Sequence, residues 1–129
     1  MGESARMATQ ILTRPDGTSV QVLQKASLAV IKGKDKGQSA SIEGEVVVAG
    51  ADADCDLVLT DPAVSSHHFE VRATARGFQI RDLDSTNGTF VEGLRLGTCF
   101  VTSTSTIQVG RTKIRFKPSG EKVEISLSN

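Results

Sequence analysis

Tryptophan and tyrosine are absent from this 129-residue chain, and 5 phenylalanines are its only aromatic residues. Aliphatic side chains must therefore supply most of whatever core it forms. Net charge is absent too: 15 Lys and Arg balance 15 Asp and Glu. Without an excess of either sign, no strong field favours a nucleic acid or a membrane surface. Direct contact with either is not expected. Cysteine is scarce, and Cys55 and Cys99 form neither a C-x-x-C pair nor a zinc-ligand spacing. Two free thiols in a cytosolic protein are the simpler reading, with a disulfide between them left open. No apolar run approaches membrane-spanning length, and no signal-peptide core is present. These absences assign the chain to the cytoplasm. Helical periodicity is missing as well.

What is present is a succession of short β-rich runs divided by turn signals. A chain of this length makes one domain with a core of its own. The first 26 residues read as an N-terminal tail or edge strand, with a turn at Arg14-Pro15-Asp16-Gly17-Thr18 and a short alternating run at Ser19-Val20-Gln21-Val22. Residues 27–118 read as the domain proper. Its expected strands are Ser27 to Ile31, Ser39 to Ile42, Glu45 to Val48 (joined to the last around Gly44), Leu57 to Leu59, Phe69 to Arg72 and Phe78 to Arg81. Phe90-Val91, Leu94 to Leu96, Thr106 to Val109 and Thr112 to Phe116 complete the set. Ala75-Arg76-Gly77 and Gly110-Arg111 are read as turns. Residues 119–129, in which Val123, Ile125 and Leu127 alternate, read as an edge strand or as a linker to a missing domain. The pattern predicts an all-β sandwich or barrel.

Two polar loops stand out between these runs. One is Pro62-Ala63-Val64-Ser65-Ser66-His67-His68; the other is Asp84-Ser85-Thr86-Asn87-Gly88-Thr89. Ser65, Ser66 and Thr86 each offer a hydroxyl donor, and Asn87 offers both donors and an acceptor for a peptide backbone. Gly88 permits a positive φ. Phosphate has enough acceptor oxygens to use such a cluster. Yet Ser, Thr, Asn and Gly also furnish ordinary turns, so composition leaves both readings open.

Other patterns fail on their own chemistry. Asp52-x-Asp54-x-Asp56 imitates a calcium loop, but Leu57 stands where Gly is needed and Ala63 where Glu is needed. Gly33 to Ser39 imitates a phosphate-binding loop, but Gln38 replaces the required Lys. His67 and His68 point to opposite faces if they open a strand and cannot share a metal. Ser65 and His68 suggest a nucleophile and base, but no third, orienting member is identifiable. No enzyme activity, metal or cofactor is expected.

Gly50, Ser65-x-x-His68 and Thr86-Asn87-Gly88, together with Cys55-Asp56-Leu57-Val58-Leu59, Asp61-Pro62-x-Val64-Ser65 and Asp82-Leu83-x-Ser85-Thr86-Asn87-Gly88-Thr89, resemble the signature of the forkhead-associated (FHA) domain. The resemblance runs from about Ser27 to Lys117. It implies an FHA-like (SMAD/FHA) β-sandwich of about eleven strands that binds phosphothreonine peptides through loops at one end. By position, Ser65 and Thr86 would bond the phosphate, with Ser66 beside them, and Asn87 would hold the peptide backbone. His68 would brace the loop from inside, and Gly50 and Gly88 would be structural.

The chain departs from the family at Ala51, which stands where a phosphate-binding arginine is usual. Ser66 likewise occupies a position that often carries arginine, and Glu92-Gly93 replaces the usual Asn-Gly. Lys34, Lys36 and Arg111 are the candidates to supply charge instead. A second reading follows: an FHA fold with a degraded site, used as a phospho-independent protein–protein or intramolecular interaction domain. The flanks Leu28 to Gly37 and Ile107 to Phe116 resemble the N-terminal FHA domains of bacterial sigma-54-dependent transcription activators. That likeness implies a regulatory module whose partner is a phosphothreonine protein or the AAA+ domain of its own longer chain.

Overall fold

The computed structural model describes residues 10–43, 46–74 and 76–126. Within them the chain is all β, with twelve strands. They are β1 (Gln10–Thr13), β2 (Ser19–Lys32), β3 (Ser39–Glu43), β4 (Val47–Gly50), β5 (Leu57–Val58), β6 (Phe69–Thr74), β7 (Gly77–Asp82), β8 (Thr89–Val91), β9 (Leu94–Leu96), β10 (Thr98–Val101), β11 (Ser105–Val109) and β12 (Thr112–Ser126). One sheet runs β1-β2-β12-β11-β8-β9, with β3 also paired to β2; the other runs β10-β7-β6-β4-β5. All strand pairs are antiparallel except β4 with β5, which are parallel. Among the described residues no helix is long and apolar enough to cross a membrane.

The core lies between the sheets and is aliphatic, as a chain so poor in aromatics requires. Leu28, Ile42, Leu59, Val71, Ile80, Ile107 and Ile114 are fully buried. Three of the phenylalanines, Phe69, Phe78 and Phe116, join them. Phe78 of one sheet meets Phe116 of the other edge-on, with ring centroids 5.1 Å apart, a favoured aromatic geometry. In β7 the alternation Phe78-Gln79-Ile80-Arg81 sends Phe78 and Ile80 inward. The outward Glu70 of β6 is also buried, because Arg81 and Arg72 cover its carboxylate at 3.0 and 3.3 Å.

Several elements differ from the expectations. Ser19 to Val22 and Ser27 to Ile31 are one continuous strand, β2, because β12 pairs with both stretches. The Pro118-Ser119-Gly120 segment is an irregularity inside β12, between the pairings Pro118 with Ala26 and Lys122 with Gln24. There Gly120 takes φ +78°, and Lys25 forms an ion pair with Glu121 at 3.5 Å. Leu59, expected in a strand, follows β5 as a buried loop residue. Strands β1 and β10 were not expected. In β1, Ile11 and Leu12 are both exposed and give no buried alternation to read; β10 does alternate, with Val101 buried, Cys99 half-buried and Phe100 exposed, but over four residues only. The expected joints at Gly44 and Ala75, the first nine residues and Leu127 lie outside the described residues.

The Glu92-Gly93 turn joins β8 to β9. Both residues have positive φ, 50° and 82°, as a two-residue type I′ hairpin requires. Glutamate is strained there, but its carboxylate accepts the Thr106 amide at 2.7 Å while its own amide donates to the Thr106 carbonyl at 3.0 Å. The side chain thus ties the turn to β11. Glu92→Ala keeps the strained backbone and loses the acceptor. Urea unfolding should show a loss of about 1 kcal/mol, whereas Glu92→Gly, which relieves the strain, should lose less.

Candidate functional site

The loops that connect β4 to β5, β5 to β6 and β7 to β8 are bonded together at one end of the sandwich. Ala51 N donates to Ser65 O at 3.0 Å and Asp52 N to Ser66 O at 3.0 Å. Thr86 N donates to Ser65 Oγ at 3.1 Å. Asn87 Nδ2 donates to Ala63 O at 2.9 Å. Ser65, Ser66, Thr86 and Asn87, which lie 22 positions apart at their extremes, are therefore brought to one place.

His68 holds two of these loops from below. It is fully buried. Its Nδ1 accepts the Ser65 amide at 3.1 Å, and its Nε2 lies 2.9 Å from Gly88 O. Since Nδ1 accepts, Nε2 carries the hydrogen and donates to Gly88 O. Neither ring nitrogen is left to take a proton from Ser65 Oγ. The backbone continues the brace: His68 N donates to Ala49 O, and Leu83 N to His68 O.

Two glycines make the approach possible. A Cβ at Gly50 would collide with the Ser66 carbonyl. Gly88 has φ +92° and lies under the Arg95 guanidinium, whose Nε is 2.8 Å from where a Cβ would stand.

Two carboxylates organise the loops further. Asp82 Oδ1 accepts Ser85 Oγ at 2.6 Å and Thr89 Oγ1 at 2.7 Å, and its Oδ2 accepts the Ser85 amide at 3.0 Å. Ser85 Oγ in turn accepts the Gly88 amide. Burial pushes the Asp82 carboxyl upward, but the Ser85 and Thr89 hydrogen bonds outweigh it and hold its pKa below the ordinary value. Asp61 follows the same balance: burial opposes the charge, and bonds from the Ala63 and Arg111 amides and the Thr112 hydroxyl outweigh it.

The outward groups remain. Ser65 Oγ accepts from Thr86, which leaves its own hydrogen to donate. The hydroxyls of Ser66 and Thr86 are exposed and have no partner among the described residues. Asn87 uses one amide hydrogen on Ala63 and is otherwise exposed. Three neutral hydroxyls and an amide thus lie on loops bonded together at one end, a donor set chemically able to bind an oxyanion.

Residues 29–120 match the family described as the inner membrane component of T3SS, cytoplasmic domain. The chain belongs to this family, an FHA-type domain. The glycogen accumulation regulator GarA of Mycolicibacterium smegmatis is 31% identical over 104 residues, which cover 81% of this chain and 65% of GarA. The alignment thus spans slightly less than two thirds of that relative's length. A structure solved in a study of phosphothreonine-dependent FHA domain interactions superposes with TM-score 0.66 at 25% identity, covering 72% of this chain and 95% of that one. The FhaA FHA domain complexed with the intracellular domain of Rv3910 superposes with TM-score 0.64 at 25% identity, covering 71% and 99%.

Within this FHA domain, Ala51 is exposed beside the Ser65 loop, and its methyl group offers no charge. Arg95 was missed in the sequence. The two-residue turn at Glu92-Gly93 pairs it with Phe90 and so places it by the Thr86–Gly88 loop, which is the signal that could have found it. The acidic turn is tied to β4 by Asp56, which accepts the Val48 amide, and is closed on itself by Asp52, which accepts the Asp54 amide. Asp54, Cys55 and His67 bring ligand-type atoms within 4.8 Å of one another. Asp54 already bonds His67 at 2.9 Å, and the Cys55 thiol donates to Ser66 O at 3.2 Å. Burial, then the neighbouring aspartates, raise the Cys55 pKa, which opposes the thiolate a metal needs. Cys55 and Cys99 are both free thiols.

His68→Ala leaves the Ser65 amide and Gly88 carbonyl without their partner in a buried place. It should cost about 3 kcal/mol in urea unfolding; unchanged stability would count against the brace. Asp82 contributes a pH-dependent share. Its folded pKa lies below that of the unfolded chain, about 3.9. The stabilisation is therefore complete above that value and is lost as pH falls through the folded pKa. The stability gap between the parent and Asp82→Asn should be wide at neutral pH and narrow toward pH 3, as followed by unfolding at a series of pH values.

Proposed function

We propose that this FHA domain binds phosphothreonine peptides at the end formed by Ser65, Ser66, Thr86 and Asn87. The observation that carries the reading is the Thr86 amide to Ser65 hydroxyl bond. It ties the two donor-bearing loops together, which supports their hydroxyls acting on one phosphate, while Asn87, anchored on Ala63, would offer its carbonyl to a peptide amide. Gly50, His68 and Gly88 act as the scaffold of that site. The named likenesses to phosphothreonine-dependent FHA domains support it. Position 51 supplies no cation, so neutral donors carry the site, with the Arg95 guanidinium over Gly88 as the neighbouring charge.

A second reading is favoured by that same alanine. The fold serves as an interaction domain for an unmodified protein surface or for a neighbouring domain of its own chain. A finer placement is as the N-terminal module of a sigma-54-dependent activator, with that protein's AAA+ domain as partner. It rests on the flanking sequences alone, since the relative named above is the regulator GarA. Regulation through partner binding is common to all of these.

The test is calorimetric titration with a phosphothreonine peptide library and its unphosphorylated counterparts at one salt concentration, since screening weakens exposed charge contacts. Phosphorylated peptides should bind and their counterparts should not. Ser65→Ala should weaken binding. Ala51→Arg should restore a charge-assisted contact, and a gain of about 1.5–3 kcal/mol corresponds to roughly ten- to a hundredfold tighter binding. Equal binding of both peptide forms would overturn the phosphate reading in favour of the second.

A further inference from the structure

We infer that Asp54, Cys55 and His67 form a binding site for one zinc ion where the β4–β5 turn meets the β5–β6 loop. The inference does not depend on phosphopeptide binding. A carboxylate oxygen of Asp54, the Cys55 Sγ and an imidazole nitrogen of His67 all lie within 4.8 Å of one another. A tetrahedral zinc ion with bonds of about 2.0–2.3 Å holds such donors roughly 3.3–3.6 Å apart. The remaining gap of about 1 Å can be closed by Asp54 and His67, whose side chains are 69% and 45% exposed. The donor set is selective in kind. Oxygen ligands alone would suit calcium or magnesium, whereas sulfur and nitrogen beside one oxygen suit zinc.

The surroundings attract a cation. Asp52, Asp54 and Asp56 stand on one turn, and among the described residues none of them is ion-paired to a lysine or arginine. After burial, those charges are what hold the proton on the Cys55 thiol. A dication inverts that effect, because it is drawn by the same negative field and takes the place of the thiol proton outright. The raised thiol therefore lowers the affinity without removing the site.

The proton count closes. His67 Nε2 lies 2.9 Å from Asp54 Oδ1. The carboxylate only accepts, so Nε2 carries the hydrogen in the metal-free protein. On binding, the neutral ring carries its hydrogen on Nδ1 and gives the Nε2 lone pair to the ion. The thiol proton leaves to solvent, one for each ion bound. No polar group is orphaned by this exchange. Ser66 O accepts both the Cys55 thiol at 3.2 Å and the Asp52 amide at 3.0 Å, and it keeps the amide once the thiol proton has gone. The turn is also fixed beforehand, with the Cys55 amide on Asp52 O, the Asp56 amide on Val48 O and the Asp54 amide on Asp52 Oδ1. With three protein ligands, the fourth position falls to water. The ion would join the turn that follows Gly50 to the loop that carries Ser65 and Ser66.

The experiment titrates the reduced chain, free of any affinity tag, with Co²⁺ and then with Zn²⁺. Cobalt reports through the charge-transfer band that a thiolate ligand gives. The parent should bind one Co²⁺ with that band, and Zn²⁺ should displace it. Cys55→Ser should abolish the band. His67→Gln and Asp54→Asn should each weaken binding by at least about tenfold, since even an outer partner of a metal ligand is worth that much. Cys99→Ser, which removes the thiol on β10, should bind as the parent does. Zinc should raise the midpoint of thermal unfolding in the parent and in Cys99→Ser, but not in His67→Gln. His67 and Asp54 are exposed, so these two variants keep the test decisive should Cys55→Ser fail to fold. Absence of the band, a band that survives Cys55→Ser or is undiminished in His67→Gln, or a band lost in Cys99→Ser would overturn the inference. Stabilisation by zinc without the band would mark loose binding to surface carboxylates and would overturn it as well.

Discussion

His68 is fully buried with both ring nitrogens engaged, and the two loops that carry the exposed donors hang from it. A buried polar ring without partners would cost free energy. Here the partners are the backbone of Ser65 and of Gly88, one from each loop. Satisfying the imidazole and aligning the loops are therefore a single event. The bond from the Thr86 amide to Ser65 Oγ is made between groups that His68 has already brought close. Ser65 can present its hydroxyl outward because its own amide is held from within.

The same logic extends outward from that ring through the carboxylates. Asp82 gathers Ser85 and Thr89, and Ser85 passes the constraint to the Gly88 amide. Asp61 gathers the Ala63 amide, the Arg111 amide and Thr112. Asp35 gathers Thr60. Each acid serves as a hub for neutral donors, so the loop end is ordered without being covered by hydrophobic side chains. The open face consequently keeps its polar groups accessible to a ligand.

Legibility in the sequence divided along physical lines. Strands with a buried alternating face, such as Phe69 to Arg72 and Phe78 to Arg81, were readable because burial imposes a period of two. Strand β1, with Ile11 and Leu12 both exposed, had no such period, and in β10 the alternation of Cys99 and Val101 with the exposed Phe100 was too short to read. The break at Pro118-Ser119-Gly120 read as punctuation, but its meaning depends on β2, which lies about ninety residues earlier. At the site, Ser65, Thr86, Asn87 and His68 were legible through the FHA resemblance, since composition alone also fits ordinary turns. The cleft at Lys34 and Arg111 was not legible as a place. Three turns distant in sequence build it, and only their hydrogen bonds bring Lys34 and Arg111 beside Ala63 and the Asp61 carboxylate.

Position 51 separates architecture from affinity. The contact that Ala51 makes with the Ser65 loop runs through its backbone amide, and any residue compatible with that conformation makes it equally well. The side chain is exposed and supports nothing. Loss of the usual arginine therefore leaves the loop geometry in place and removes only charge. Gly50, one residue earlier, is the opposite case, because a Cβ there would collide with the Ser66 carbonyl and displace the loop itself. A binding site can thus lose its principal cation and retain its shape. What such a site recognises then depends on the cations that remain around it, and among these the Arg95 guanidinium lies over Gly88 at the same loop end.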